Sequence, residues 1–287
     1  MTKATRLLTV TAWAQISPLM VVLLCFLVVP IITIVVVSFW GYNDWSFYPD
    51  FTLENYEYLL TAEVTWRTYL NTAKYMVITW IFTAVVGFTV AYFLAFHVQT
   101  LTWQITLFVL CTIPFWTSNI IRMISWVPFL GRNGLANNTL ISLGIIDEPL
   151  EFLLFSDFAV ILAFVHLYSL FMVVPIFNTM MRIDRSLIEA ARDQGANSWQ
   201  VLTQIVLPLS RPGIMIGSIF VVTLVMGDFI TVRFMSGSQS ASVGRIIQNE
   251  ISLLQYPAAA ASAVVLLLTV LIMIAAMMRL VDVRKEL

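Results

Sequence analysis

Long apolar runs broken by short polar stretches dominate this chain, and the intervals free of charge mark out its elements. A helix needs about 20 apolar residues to cross the hydrocarbon core of a bilayer. No Asp, Glu, Lys or Arg lies between Arg6 and Asp44, and Pro18–Phe39 makes a first span. The next such interval, Lys74 to Arg122, is long enough for two helices. His97, Gln99, Thr100, Thr102 and Gln104 interrupt it, so Tyr75–Phe96 and Ile105–Val127 read as a tight hairpin. Asp157 and Arg182 bracket a fourth span over 158–181. Pro212–Val232 holds a fifth, interrupted by Asp228, and Pro257–Met278 a sixth. The pattern predicts an all-α membrane protein with six transmembrane helices, one domain over 1–287, and a wet loop over 182–211.

Composition agrees. The chain has 287 residues, 60% hydrophobic and 11% charged, whereas a soluble domain carries about 25% charged residues. A net charge of −1 offers no basic surface for nucleic acid. Cys25 and Cys111 lie in apolar runs without partners at ligand spacing, which predicts packing residues and neither a disulfide nor a metal site. Lys3 and Arg6 precede the first span as a signal peptide's basic region would, but the apolar stretch exceeds a signal core and no small-x-small cleavage site follows. Phe39–Trp40–Gly41–Tyr42 reads as an interfacial aromatic belt, so the span is expected to stay as an anchor.

Six spans put both termini on one side, and basic residues choose it. Lys3, Arg6, Arg182, Arg185, Arg192, Arg211, Arg279, Arg284 and Lys285 fall on the side of the termini and the 182–211 loop. The opposite loops hold Arg67, Lys74, Arg132, Arg233 and Arg245, with ten acids among them. The termini and the long loop are therefore expected in the cytoplasm.

That loop carries the strongest local pattern. Ser186-Leu187-Ile188-Glu189 fits a capping box. A short helix should follow through Gln194 and end at Gly195, where the left-handed conformation carries no Cβ penalty. Asn197 or Ser198 can cap a second helix to about Val206, which Pro208 and Pro212 stop. Two short helices joined at a glycine form a protruding elbow, a shape suited to a partner's groove or to rest on the bilayer.

Glu189-Ala190-Ala191, three residues, Gly195, nine residues, Ile205, one residue and Leu207-Pro208 resemble the EAA motif of type I ABC importer permeases. The resemblance implies the MetI-like permease fold with a cytoplasmic coupling helix. It also implies two partner ATPase subunits that bind ATP and magnesium, a second permease subunit that is a paralogue of this one, and a periplasmic solute-binding protein. Glu189 would approach the ATPase, Ala190 and Ala191 would keep the contact thin, and Gly195 would supply the bend. Ile205, Leu207 and Pro208 complete the motif. The chain itself has no G-x-x-x-x-G-K-[S/T] phosphate loop and no Gly-Lys pair, so no catalytic residue, cofactor or metal is expected in it.

Few ionisable groups lie within the spans, and such groups default to a functional reading. Asp228 either faces a cationic solute or pairs with Arg233 or Arg122. His166 reads as a hydrogen-bonded interior residue, and Arg122 as a side chain snorkelling at the outer interface. Trp116, Trp126 and Tyr168 either line a path by cation–π contact or serve packing and the interfacial belt. Pro114-Phe115-Trp116-Thr117-Ser118 with Arg122, Leu143-Gly144-Ile145-Ile146-Asp147 and Gly227-Asp228-Phe229-Ile230-Thr231 are similar to stretches of spermidine/putrescine-type permeases, B subunit. This resemblance implies a bacterial inner-membrane, multi-pass permease subunit moving a polyamine or related amine by alternating access. From their own chemistry, Asp228, Trp116 and Tyr168 are the candidates for its substrate pathway. Arg233 departs from the family pattern beside Asp228. A gradient-driven secondary transporter or channel is the alternative, though neither broken repeats nor a charge ring is visible.

Overall fold

The structure is a computed structural model that describes residue 13, residues 15–43 and residues 46–280. Lys3, Arg6, Asp44, Arg284 and Lys285, used above to orient the chain, lie outside the described residues. Thirteen helices, one three-residue 3-10 turn at Glu151–Leu153 and one small hairpin are found among the described residues. Four helices are long and apolar enough to span a bilayer, and six spans result if each of two bent pairs counts as one.

The contacts divide the chain into two units, where the sequence pattern predicts one domain: the segment up to Ala62 with Ile247–Val265, and Glu63–Ile246 with the segment from Leu266. In the first unit, α1 (Gln15–Val37) is exposed along its whole spanning window. Its surface is apolar on every side, so lipid is its solvent. Where α1 ends, its last carbonyls need donors that lipid cannot supply. Ser38 N, Phe39 N and Trp40 N supply them, closing onto the carbonyls of Ile34, Val36 and Val37 at 3.0, 3.2 and 3.0 Å, and Asn55 of α2 (Glu54–Thr61) serves the turn that follows, donating from Nδ2 to the carbonyls of Ser38 at 3.0 Å and Trp40 at 2.9 Å. Between them, β1 (Gly41–Tyr42) pairs antiparallel with β2 (Phe47–Tyr48). The belt aromatics pack there: Phe39 stacks on Phe51 at 5.1 Å and Trp40 on Phe47 at 6.0 Å.

The second unit is built on three helices, α3 (Glu63–His97), α7 (Asp157–Met180) and α10 (Arg211–Gly227), each packed on the other two. α3 begins at Glu63 and not near Tyr75, because a charge-free interval measures the hydrocarbon layer and not the helix. Its exposed first turns carry an Arg67–Glu63 pair at 2.6 Å. α7 is the hub, with half of its spanning window buried by protein. In lipid no hydrophobic force drives helices together, so close approach through small residues does the work. Met172 of α7 is met by Gly87 of α3 and Gly217 of α10. A Cβ on Gly213 would fall 2.5 Å from the Pro175 carbonyl and 2.6 Å from Thr179 Oγ1. Trp80 Nε1 of α3 donates to Ser218 Oγ of α10 at 2.7 Å, closing the triangle.

The predicted third span, 105–127, is not one straight helix. α4 (Leu101–Trp116) ends at Thr117–Ser118 and the chain turns by 88° into α5 (Asn119–Leu130) and α6 (Leu135–Ser142). The predicted fifth, 212–232, stops as α10 at Gly227. After the extended Asp228 the chain resumes as α11 (Ile230–Met235). α12 (Val243–Ser252) and α13 (Tyr256–Leu280) complete the chain.

Gly213→Ala is expected to lower stability by about 1–3 kcal/mol, the cost of forcing a methyl into a packed interior. Gly227→Ala, whose Cβ would meet nothing within 4 Å, is expected to be near neutral. Thermal unfolding of the two variants in detergent, compared by tryptophan fluorescence, checks the contrast.

Candidate functional site

The 182–211 elbow is assembled by local hydrogen bonding. Asp184, and not Ser186, caps α8 (Arg185–Asp193): its Oδ1 accepts from Ser186 N at 2.9 Å. The two signals lie two residues apart, and the carboxylate also suits the positive end of the helix dipole. That bond holds the exposed Asp184 carboxyl below the usual carboxylate range. α8 ends in a Schellman motif. Gly195 takes φ +84°, Gly195 N donates to Arg192 O and Ala196 N to Ala191 O, both at 2.9 Å. Asn197 then opens α9 (Ser198–Leu209) with a reciprocal capping box to Gln200, the bonds being 2.9 and 2.8 Å.

These bonds set what the elbow displays. Glu189 and Ala190 face outward beside exposed Leu187 and Trp199, while Ala191 is half-buried against the core. Ile205 and Pro208 are half-buried, and Leu207 is exposed. Arg185 ties the elbow to the spans, donating from Nη2 to Ala95 O at 3.3 Å. Ala95 lies in the π-helical turn that ends α3, Phe93–His97, and its carbonyl also accepts from Gln104 Nε2 of α4 at 3.3 Å.

The second feature lies where α10 breaks. Asp228 is half-buried, and its carboxylate accepts from Tyr168 Oη at 2.5 Å, from Thr231 N at 2.8 Å and from Thr231 Oγ1 at 2.8 Å. The break thus has its own logic: Asp228 supplies an acceptor to the free N–H at the start of α11. A carboxylate has about four lone-pair positions, so it retains capacity for one more donor. Asp228, Tyr168, Thr223, Gly227, Asn119 and Met123 line a recess of about 340 Å³.

Other candidates lie elsewhere. Trp116 is 87% exposed and is not among the residues lining the recess. Arg233 is exposed, and no ion pair joins it or Arg122 to Asp228 among the described residues. Arg122 does not snorkel. It is 8% exposed, sits 5.3 Å from the Phe115 ring centre and donates to Asn119 Oδ1. His166 is hydrogen-bonded as expected, accepting from Trp126 Nε1 at 3.1 Å, but lies exposed and not in the interior.

Residues 104–285 match the model of a family described as binding-protein-dependent transport system inner membrane component. The chain belongs to this family. It is a multi-pass inner-membrane permease subunit of an ABC importer. The permease is 33% identical over 233 residues to the spermidine/putrescine transport system permease protein PotB of Haemophilus influenzae, covering 79% of each chain. It is 34% identical over 227 residues to PotB of Escherichia coli K12, covering 79% of this chain and 81% of that one. The inner membrane ABC transporter permease protein YdcU of the same bacterium is 27% identical over 234 residues, covering 77% of this chain and 73% of the other. Among solved structures, a bacterial alginate ABC transporter in complex with its alginate pentasaccharide-bound periplasmic protein superposes with a TM-score of 0.77. The match covers 96% of this chain and 95% of that one at 18% identity. At that identity the likeness shows the fold alone.

Sequence reasoning missed one polar centre of the permease. Asp157, named above only as the residue that brackets the fourth span, opens α7 and binds Lys74 at 2.5 Å, Ser240 Oγ at 2.8 Å and the Tyr75 hydroxyl. Lys74 and Ser240 each lie 83 residues from Asp157 along the chain, so no local spacing signals the cluster.

Gly195→Ala is expected to weaken the elbow by about 1–2 kcal/mol, because a Cβ disfavours the left-handed region. Gly195→Asn, which tolerates that region better, is expected to cost less. Amide hydrogen exchange across 185–206 in the full-length permease should rank wild type, Asn and Ala in that order of protection. Acid should act on the same segment. The Asp184 cap is fully present above the ordinary carboxylate pKa and is lost as pH falls through its lowered value, so exchange at Ser186 should rise only once pH falls below the ordinary carboxylate range.

Proposed function

We propose that the permease carries a polyamine or related amine from periplasm to cytoplasm by alternating access, with Asp228 as the carboxylate that meets the ammonium. The observation that carries this reading is the half-buried Asp228 carboxylate lining a recess at a helix break, with an acceptor position left over. An isolated carboxylate is costly in a membrane. Tyr168 and Thr231 hold this one in place, and a passing ammonium completes its coordination. The PotB relatives, named for spermidine and putrescine transport, support the substrate class.

In this reading the termini and the elbow are cytoplasmic, and the elbow docks on partner ATPase subunits. Those subunits, expected as a pair, bind and hydrolyse ATP with magnesium, and this chain contributes no catalytic residue. Glu189, Ala190, Leu187 and Trp199 form the docking face. Gly195, Ala191, Ile205, Leu207 and Pro208 shape and anchor the projection. A push on α8 reaches α3 through Arg185 and the Ala95 carbonyl, and α10 directly through α9. A second permease subunit, expected to be a paralogue, faces this one across the pathway, and a periplasmic binding protein delivers the amine. Tyr168 belongs to the pathway through its bond to Asp228. Trp116 serves it only from a surface that the second subunit covers.

Transport of putrescine in proteoliposomes holding the assembled complex and its binding protein tests both parts. Asp228→Asn is expected to raise the half-saturating amine concentration about tenfold, the equivalent of 1.4 kcal/mol, with the ATPase subunits still bound. Unchanged uptake would remove Asp228 from the pathway. Gly195→Asp is expected to abolish ATP-driven uptake while the spans still insert. Amine movement down an ion gradient in that variant, without ATPase subunits, would overturn the importer coupling.

A further inference from the structure

The Asp157 carboxylate gathers the Lys74 ammonium and the Tyr75 and Ser240 hydroxyls at the end of α7 remote from the elbow. Lys74 Nζ lies 2.5 Å from Asp157 Oδ2 and 5.2 Å from the centre of the Tyr75 ring. Ser240 Oγ donates to Asp157 Oδ1 at 2.8 Å, and the Tyr75 hydroxyl donates to the same oxygen. A carboxylate held by hydroxyls, with an aromatic ring beside it, is the donor-and-acceptor set that recognises a primary ammonium. The occupant here is the chain's own lysine.

Three properties make the occupant exchangeable. The Lys74 and Asp157 side chains are 42% and 41% exposed, so a dissolved amine can reach them. Ion pairs of such exposure contribute little to stability, so the permease gives up little when this one opens. Asp157 does not depend on Lys74 for its position, since Tyr75 and Ser240 hold the same carboxylate from two other directions. α7 runs 24 residues from Asp157 to Met180, about 36 Å at 1.5 Å per residue. The cluster and the elbow therefore lie on opposite faces of the bilayer.

We propose that Asp157, Tyr75 and Ser240 form an ammonium site at the outer mouth of the permease, which Lys74 fills as a tethered stand-in and which a primary ammonium of the incoming amine takes over. The assignment to the outer mouth and to the transported amine rests on the importer reading above; the chemistry of the site does not. The amine is held first at Asp157 and then at Asp228.

The test is thermal unfolding of the full-length permease, within its assembled transporter, in nanodiscs of phosphatidylcholine and phosphatidylglycerol. Lys74→Ala is expected to unfold a few degrees below wild type. n-Propylammonium, which replaces the missing part of the side chain, should restore the loss saturably. Tetramethylammonium, which has no N–H, should not, and adding Asp157→Asn should abolish the recovery. An equal response of the single and double variants to propylammonium, or none in either, overturns the site. If Lys74→Ala does not assemble, Lys74→Met keeps the apolar stem and carries the same titration with methylammonium. Ethanolamine lipid headgroups bear the same ammonium. Recovery seen only in nanodiscs containing phosphatidylethanolamine, with no response to the free amine, would give the site to lipid and overturn its role for the substrate. Because the readout is stability, a failed titration removes this site while putrescine uptake by the wild type still tests the importer reading.

Discussion

An unpaired polar group is so costly in hydrocarbon that wherever a spanning helix breaks, something must satisfy the backbone left open. This constraint places the chemistry of the permease. α10 stops at Gly227, and Asp228 answers the free N–H of Thr231. α3 ends in a π-helical turn, and the carbonyl of Ala95 accepts from Gln104 and Arg185. α1 ends, and Asn55 reaches the carbonyls of Ser38 and Trp40. Each repair brings a polar side chain to the end of a spanning helix, and in the proposed function the repairs at Asp228 and Ala95 would serve the two jobs a permease needs, contact with a solute and contact with the elbow.

The packing of the second unit explains how those jobs communicate. α7 touches α3 and α10 through glycines that leave no room for a side chain between the backbones. Tight packing of this kind is not continuously deformable, so a displacement at one end moves a helix as a body. The elbow enters that body at two points, through Arg185 to the end of α3 and through α9 into α10. Asp228 sits at the far end of α10, bonded to Tyr168 of α7. Rotation of α10 against α7 therefore acts on the bond that holds the carboxylate.

How much of this the sequence disclosed depends on the range of the interaction. The elbow was legible because its bonds close within a few residues: Gly195 must be left-handed, and Asn197 and Gln200 cap each other across three positions. Its start was misplaced because Asp184 and Ser186 are both competent caps, and only the geometry chooses. The spans were legible as apolar intervals, but not their breaks. Pro128 and Pro175 lie inside α5 and α7 without ending them, while the chain turns at Thr117–Ser118 and at Asp228, which carry no comparable signal. Asp228 was visible as an isolated charge; that Tyr168 holds it, and that Arg233 points away, needed the fold.

The Asp157 cluster marks the far limit of that legibility and also shows why two carboxylates in one permease take different roles. Asp228 has only neutral hydrogen-bond partners among the described residues, so in the proposed pathway it would gain most from a cation that arrives. Asp157 already has one, yet holds it in an exposed place where the pairing is weak. On the two proposals together, a solute amine would meet a weak site outside and a better-organised carboxylate within, the order that lets a cation enter without being trapped at the mouth. Arg122, buried beside Asn119 with Nε and Nη1 lacking partners among the described residues, sets the opposite field next to the recess. In the proposed pathway that charge would oppose prolonged residence of an ammonium at Asp228 and so favour its release.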